Sequence, residues 1–126
     1  MISYINLFLI ILIHFFADFY MQSHEMAINK SKSNYWLTIH ITVYTSVTVL
    51  FWNFFLLQPT SDYRLNDYLI LTSFIFITHW ITDYITSRFT SKLFGKGDAH
   101  NGFVVVGIDQ CIHYAQLFFI YNYIVK

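Results

Sequence analysis

Three pairs of imidazole and carboxylate side chains recur at a spacing of four residues, His14 with Asp18, His79 with Asp83, and Asp109 with His113; His40 adds a fourth histidine, and all seven lie in hydrophobic stretches. Residues four apart on a helix share a face, one turn above the other, so each pair can turn both groups the same way. An ionisable group in hydrocarbon is costly unless compensated, so seven of them in one short chain point to a shared site. Imidazole and carboxylate without thiolate suit zinc, manganese or iron better than copper(I), and seven donors would serve one ion amply or two ions about 3.5–4 Å apart. A water activated by such ions is a nucleophile for hydrolysis at neutral pH. Three aspartates against two divalent ions leave one positive charge for a hydroxide to cancel. The same aspartates also balance three protonated histidines. Two other readings therefore stand beside metal binding: hydrogen bonds between helices that only fix the fold, and a proton or ion pathway.

The elements that must position these groups follow from hydropathy. Apolar residues make up 56% of the chain, aromatics 21% and charged residues 11%, against about 25% charged in soluble domains. Four apolar runs, residues 2–21, 35–57, 67–87 and 103–125, each approach the roughly 20 residues needed to cross a bilayer. The expected fold is all-α, a four-helix transmembrane bundle of up-down topology forming one integral membrane domain over residues 1–126. The first run lacks a basic start and a small-residue cleavage site, so it is expected to stay in the mature protein. The linkers are residues 23–34, 58–66 with the only proline, Pro59, and 95–102 with its glycines. Zero net charge argues against a nucleic-acid partner and leaves membrane lipids as the expected surroundings. The single cysteine, Cys111, reads as a small buried packing residue.

Lys30 and Lys32 in the first linker and Arg88, Lys92 and Lys96 around the third outnumber Arg64 and Lys126 on the other side. The positive-inside rule then makes loops one and three cytoplasmic and puts both termini outside. Tyr20, Tyr35, Trp36, Trp80 and Tyr84 would mark one membrane surface, and Tyr4, Trp52, Tyr63, Tyr68, Tyr121 and Tyr123 the other. In this topology all seven ionisable groups fall at one depth, in the cytoplasmic half. The two halves also resemble each other: His14-Phe15-Phe16-Ala17-Asp18-Phe19 aligns with His79-Trp80-Ile81-Thr82-Asp83-Tyr84, which suggests a tandem duplication of helical hairpins about a pseudo-twofold axis.

Around the seven residues, Gln22 and Gln110 are candidates for orienting metal ligands from outside, as ligating histidines require. Glu25 lies near the same line as His14 and Asp18 if the first helix persists that far, where it could serve as a general base. Lys30, Arg88, Lys92 and Lys96 are placed to contact an anion or lipid head group, although the positive-inside bias also accounts for them. His24 reads as a solvated loop residue. The segment from Gly97 to Gly102 reads as a turn, with a lid over the site as the alternative.

The ordered set His14-x-x-x-Asp18-Phe19-x-x-Gln22, Lys30, His40-x-x-x-Tyr44, His79-x-x-x-Asp83 and Asp109-Gln110-x-x-His113 resembles a family of small bacterial and phage membrane proteins described only as a domain of unknown function. The resemblance covers nearly the whole chain. It implies an integral protein of the bacterial cytoplasmic membrane and, through a distant similarity to membrane-bound metal-dependent hydrolases, the same histidine-rich chemistry. The short length and high aromatic content suit a phage or low-GC bacterial member. The family carries a lysine three residues after the second motif's aspartate, where this chain has Thr86, with Arg88 nearby. The leading expectation is a metal-dependent hydrolase acting at the cytoplasmic face on an ester, amide or phosphoester. The alternatives are an ion or proton transport protein and a non-catalytic membrane effector with a polar structural core. A dimer would bury further lipid-facing surface.

Overall fold

Hydrophobic runs separated by capping residues fold as helices throughout the described part of the chain. A computed structural model describes residues 3–57 and 63–125. Helix α1 (Tyr4–Phe15) runs on through a π-helical turn (Phe16–Tyr20); a short α2 (His24–Asn29) follows, then α3 (Asn34–Phe55), α4 (Leu65–Gly95) and α5 (Ala99–Ile124). Helices α3, α4 and α5 are long and apolar enough to cross a membrane, and Tyr4–Tyr20 is a shorter apolar helix. The expected turn at Pro59 lies outside the described residues.

Side-chain caps explain several helix starts. Ser3 and Ser23 accept hydrogen bonds from the backbone N–H groups of Asn6 and Met26, and Asp98 accepts from Asn101 at the start of α5. The Arg64 N–H donates to the Asp67 carboxylate at 2.9 Å as α4 begins. Helix α4 ends at Gly97, whose φ of 78° is the left-handed conformation that glycine adopts readily. There the Asp98 N–H reaches the Leu93 carbonyl and the Gly97 N–H the Phe94 carbonyl, both at 3.0 Å, which is the Schellman pattern. Asp98 then caps α5 at once. The third helix therefore runs to residue 95 rather than 87 and the fourth starts at 99 rather than 103, because caps end these helices and hydropathy does not. Most of the stretch from Gly97 to Gly102 is thus the first turn of α5. A Cβ on Gly102 would meet the Phe94 ring at 2.6 Å, so a larger residue there would have to displace that ring.

Helix α1 packs on α3 and α5, α3 packs on α4, and α4 on α5, while α2 and the π turn lie against α3. Away from the histidines the interior is apolar, built from Ile10, Trp52, Leu56, Leu71, Ile75, Leu117, Ile120 and Tyr121. Trp52 and Tyr121, expected at a membrane surface, are instead buried in this core with their rings edge to face at 5.8 Å. Cys111, expected to be buried, is exposed. Phe8, Phe54, Ile77, Phe103 and Phe119 are each more than half exposed on the outer surface. Apolar side chains outside and ionisable groups gathered inside are the distribution that lipid favours.

Candidate metal centre

Each of the long helices and the π turn contribute to one buried cluster. The π turn closes with the Met21 N–H on the Phe16 carbonyl at 3.0 Å, and it carries Asp18 inward with the carboxylate almost fully buried. Such insertions in a helix commonly occur where function demands a particular side-chain direction. His40 comes from α3, His79 and Asp83 from adjacent turns of α4, and Asp109 and His113 from α5. All four histidines, Asp18 and Asp83 are buried, and Asp109 is half-buried.

The donor atoms converge in two groups. Asp18, His40, His79 and Asp83 each offer one atom, all within 4.8 Å of one another; Asp83, Asp109 and His113 form a second such group that shares Asp83. His40 Nε2 is 3.0 Å from Asp18 Oδ1 and 3.4 Å from Asp83 Oδ2. His79 Nε2 is 3.6 Å from Asp18 Oδ1 and 3.4 Å from Asp83 Oδ1. His113 Nε2 is 3.1 Å from Asp83 Oδ1 and 3.5 Å from Asp109 Oδ1. Ligands about 2.0–2.1 Å from a tetrahedral zinc ion stand about 3.3 Å apart, so these separations are compatible with a shared ion as well as with direct pairing, and the His113–Asp83 contact is itself a hydrogen bond. Despite this closeness, His79 Nε2 and Asp18 Oδ1 have no hydrogen-bond partner of acceptable geometry among the described residues. The two atoms stand 3.6 Å apart, and Asp18 Oδ1 also lies 3.0 Å from His40 Nε2, so both are close enough to share an ion or to pair directly with their neighbours.

His14 belongs to neither group. Its Nε2 lies 2.8 Å from Gln110 Oε1 and its Nδ1 2.8 Å from the Tyr44 hydroxyl. Since the Gln110 oxygen only accepts, Nε2 carries the proton and Nδ1 accepts from Tyr44. Both nitrogens are engaged, although Nε2 also stands 3.6 Å from Asp18 Oδ2. Gln110 ties the neighbourhood together, its amide donating to Asp109 Oδ2 at 3.0 Å and to Asp18 Oδ2 at 3.4 Å. Gln22 Oε1 is buried without a hydrogen-bond partner among the described residues. Glu25 does not continue the His14–Asp18 stripe: the helix breaks after Tyr20, and the Glu25 carboxylate is exposed on α2 and accepts from Asn29 at 3.1 Å.

Lys30, a candidate for contact with an anion or head group, pairs with the cluster. Its ammonium is 2.9 Å from Asp83 Oδ2 and 3.4 Å from His40 Nε2. Burial pulls the pKa of this ammonium down, but Asp83 and Asp18 beside it outweigh that and hold it above the ordinary lysine value. The Thr86 hydroxyl donates to Asp109 Oδ1. Arg88 lies over the Tyr84 ring at 3.8 Å and donates to Asn34 Oδ1 at 2.7 Å, joining α4 to the start of α3. A cavity of about 450 Å³ adjoins the cluster; Lys30 and Lys32 line it, and Arg88, Lys92 and Lys96 do not. Lys32 was not separable in the sequence from any other lysine in a basic linker.

Residues 6–126 match a family model described as "Protein of unknown function (DUF3307)". The chain belongs to that family. No curated protein and no solved structure matches it. The six residues of the two donor groups, with His14, Lys30, Thr86 and Gln110, fall within the matched residues of this DUF3307 member, so the site is part of the family domain.

Proposed function

We propose that this DUF3307 member is a polytopic integral membrane protein, a four-helix transmembrane bundle of up-down topology, that holds one or two divalent ions in its His/Asp cluster and acts as a hydrolase at the cytoplasmic face. The observation that carries the reading is the buried convergence of Asp18, His40, His79 and Asp83 within 4.8 Å, with Asp83 shared by Asp109 and His113. Zinc, manganese and iron all suit nitrogen and oxygen donors of this kind. When bound, such an ion would act as a Lewis acid and lower the pKa of a water molecule. The chain's own residues would do the positioning: Gln110 orients His14, Asp18 and Asp109, and Lys30 supplies a fixed positive charge beside Asp83. The basic linkers on either side of the cavity favour a cytoplasmic site by the positive-inside rule.

A closed polar network is the second reading, and the Lys30–Asp83 ion pair favours it, because a lysine already compensates one carboxylate. Transport is the weaker alternative. Beyond Tyr44 the interior continues through Ile75, Leu117, Ile120 and Trp52, with only the Thr45 and Thr48 hydroxyls buried along α3. Elemental analysis of the detergent-purified protein separates metal binding from the closed network. Stoichiometric zinc, manganese or iron, lost in His79→Ala, is expected; metal-free protein after incubation with each ion would overturn the proposal.

A further inference from the structure

The cavity of about 450 Å³ beside the cluster has walls of two chemistries. Asp18, Asp83 and Asp109 form one part of it. Facing them are Lys30 and Lys32, and a stripe of hydroxyls on one face of α4, Thr86, Ser87, Thr90 and Ser91. Ser87 Oγ is buried and makes no hydrogen bond with any described residue, which leaves a donor short of an acceptor. Phe19, Ile28, Phe94 and Val106 complete the lining with apolar surface. Helix α4 has 31 residues and so extends about 46 Å, well beyond the roughly 30 Å hydrocarbon core. Its hydroxyl stripe falls in the last third of the helix.

We propose that this cavity binds a phosphate ester, with the phosphate held between Lys32, the α4 hydroxyls and the cation of the carboxylate cluster, and the organic part against Phe94 and Ile28. The inference rests on the metal reading given above. Its charge arithmetic requires this: two lysines leave one of the three carboxylates uncompensated, which would repel an anion, whereas one divalent ion reverses the sign. Lysines and hydroxyls are ordinary phosphate partners, and the volume lies within the roughly 300–1,000 Å³ of small-molecule sites. Either a lipid head group or a soluble phosphate ester would supply the same group.

The test is calorimetric titration of the detergent-purified chain, with metal content measured on each sample, using glycerol 3-phosphate and dioctanoyl phosphatidic acid as probes. Metal-loaded protein should bind at least one probe, and chelated protein should bind it at least tenfold more weakly. Binding of both probes identifies a site for the phosphate itself; binding of the lipid alone identifies one that also needs the acyl part. Lys32→Gln and Ser87→Ala should each weaken binding about three- to tenfold while metal content stays unchanged, the second variant serving where the first misfolds. Metal-loaded protein that binds neither probe, probe binding indifferent to chelation, or full affinity in both variants would overturn this inference and leave the metal site standing. Protein that takes up no metal would overturn the metal reading and this inference with it.

Discussion

The two His-x-x-x-Asp motifs share spacing and aromatic neighbours, and the fold brings both to one cluster, yet it uses them differently. On α4 the motif lies in regular α-helix, and His79 Nε2 stands 3.4 Å from Asp83 and 3.6 Å from Asp18 without a hydrogen bond. On α1 the motif enters a π turn, and the His14 ring is held at both nitrogens by Tyr44 and Gln110. Asp83 takes part in both donor groups, Asp18 in one. The difference lies in the neighbours that α3 and α5 supply, not in the motifs. A repeated motif fixes where a side chain starts, and its surroundings decide whether that side chain joins the donor cluster or bonds to another residue.

The strongest way to break this comparison is at the aspartates. Asp83→Asn removes a donor from both groups and should abolish stoichiometric metal, whereas Asp18→Asn removes one from a single group and should leave measurable binding. Metal analysis of the two purified variants decides it; equal losses would show that the motifs are interchangeable. The histidines sharpen it next. His79→Ala should lower affinity by more than the roughly 10–100-fold typical of losing an outer partner, and His14→Ala should fall within that range. His14→Ala should also destabilise the metal-free protein by about 1–3 kcal/mol, because the Gln110 and Tyr44 groups lose their partner. Thermal unfolding with and without chelator reads both effects.

The α-helical architecture and the inward direction of the seven ionisable groups were legible from hydropathy and from a spacing of four. Other features depend on geometry that composition does not encode. Lys30 faces Asp83 because α2 and the turns at Asn29 redirect the chain, with the N–H groups of Lys32 and Ser33 both on the Asn29 carbonyl. An aromatic near the end of a hydrophobic run suits a membrane surface or a core equally well, which is why Trp52 was misplaced. Its helical phase with His40, Tyr44 and Thr48, all buried on α3, was the signal that could have placed it. The π turn at Asp18 leaves no sequence signature that hydropathy could detect.

Thr86 gives a milder perturbation of the α4 motif. Its hydroxyl donates to Asp109 Oδ1. Thr86→Lys would place an ammonium beside the second donor group and should lower affinity there about tenfold, worth about 1.4 kcal/mol, with the first group little changed. A protein that binds two ions would then fall toward one. Unaltered stoichiometry and affinity would show that Asp109 takes no part in holding metal.

The smallest expected effect carries the most information about why the motifs diverge. Lys30 sits 2.9 Å from Asp83 Oδ2, on the α4 motif, and makes no comparable ion pair with Asp18. If the cluster holds a cation, that ammonium competes with it for the same carboxylate, and Lys30→Met should raise metal affinity by about 1 kcal/mol, roughly fivefold, as expected for a pair still reached by solvent. If the cluster is a closed polar network, the same change strands a buried carboxylate and should cost about 3–5 kcal/mol of stability with no metal to offset it. The two accounts predict opposite signs for one substitution. A tighter-binding, stably folded Lys30→Met protein would establish Asp83 as a ligand that the lysine guards, and a metal-free, destabilised one would make Lys30 the partner that the α4 motif was built to hold.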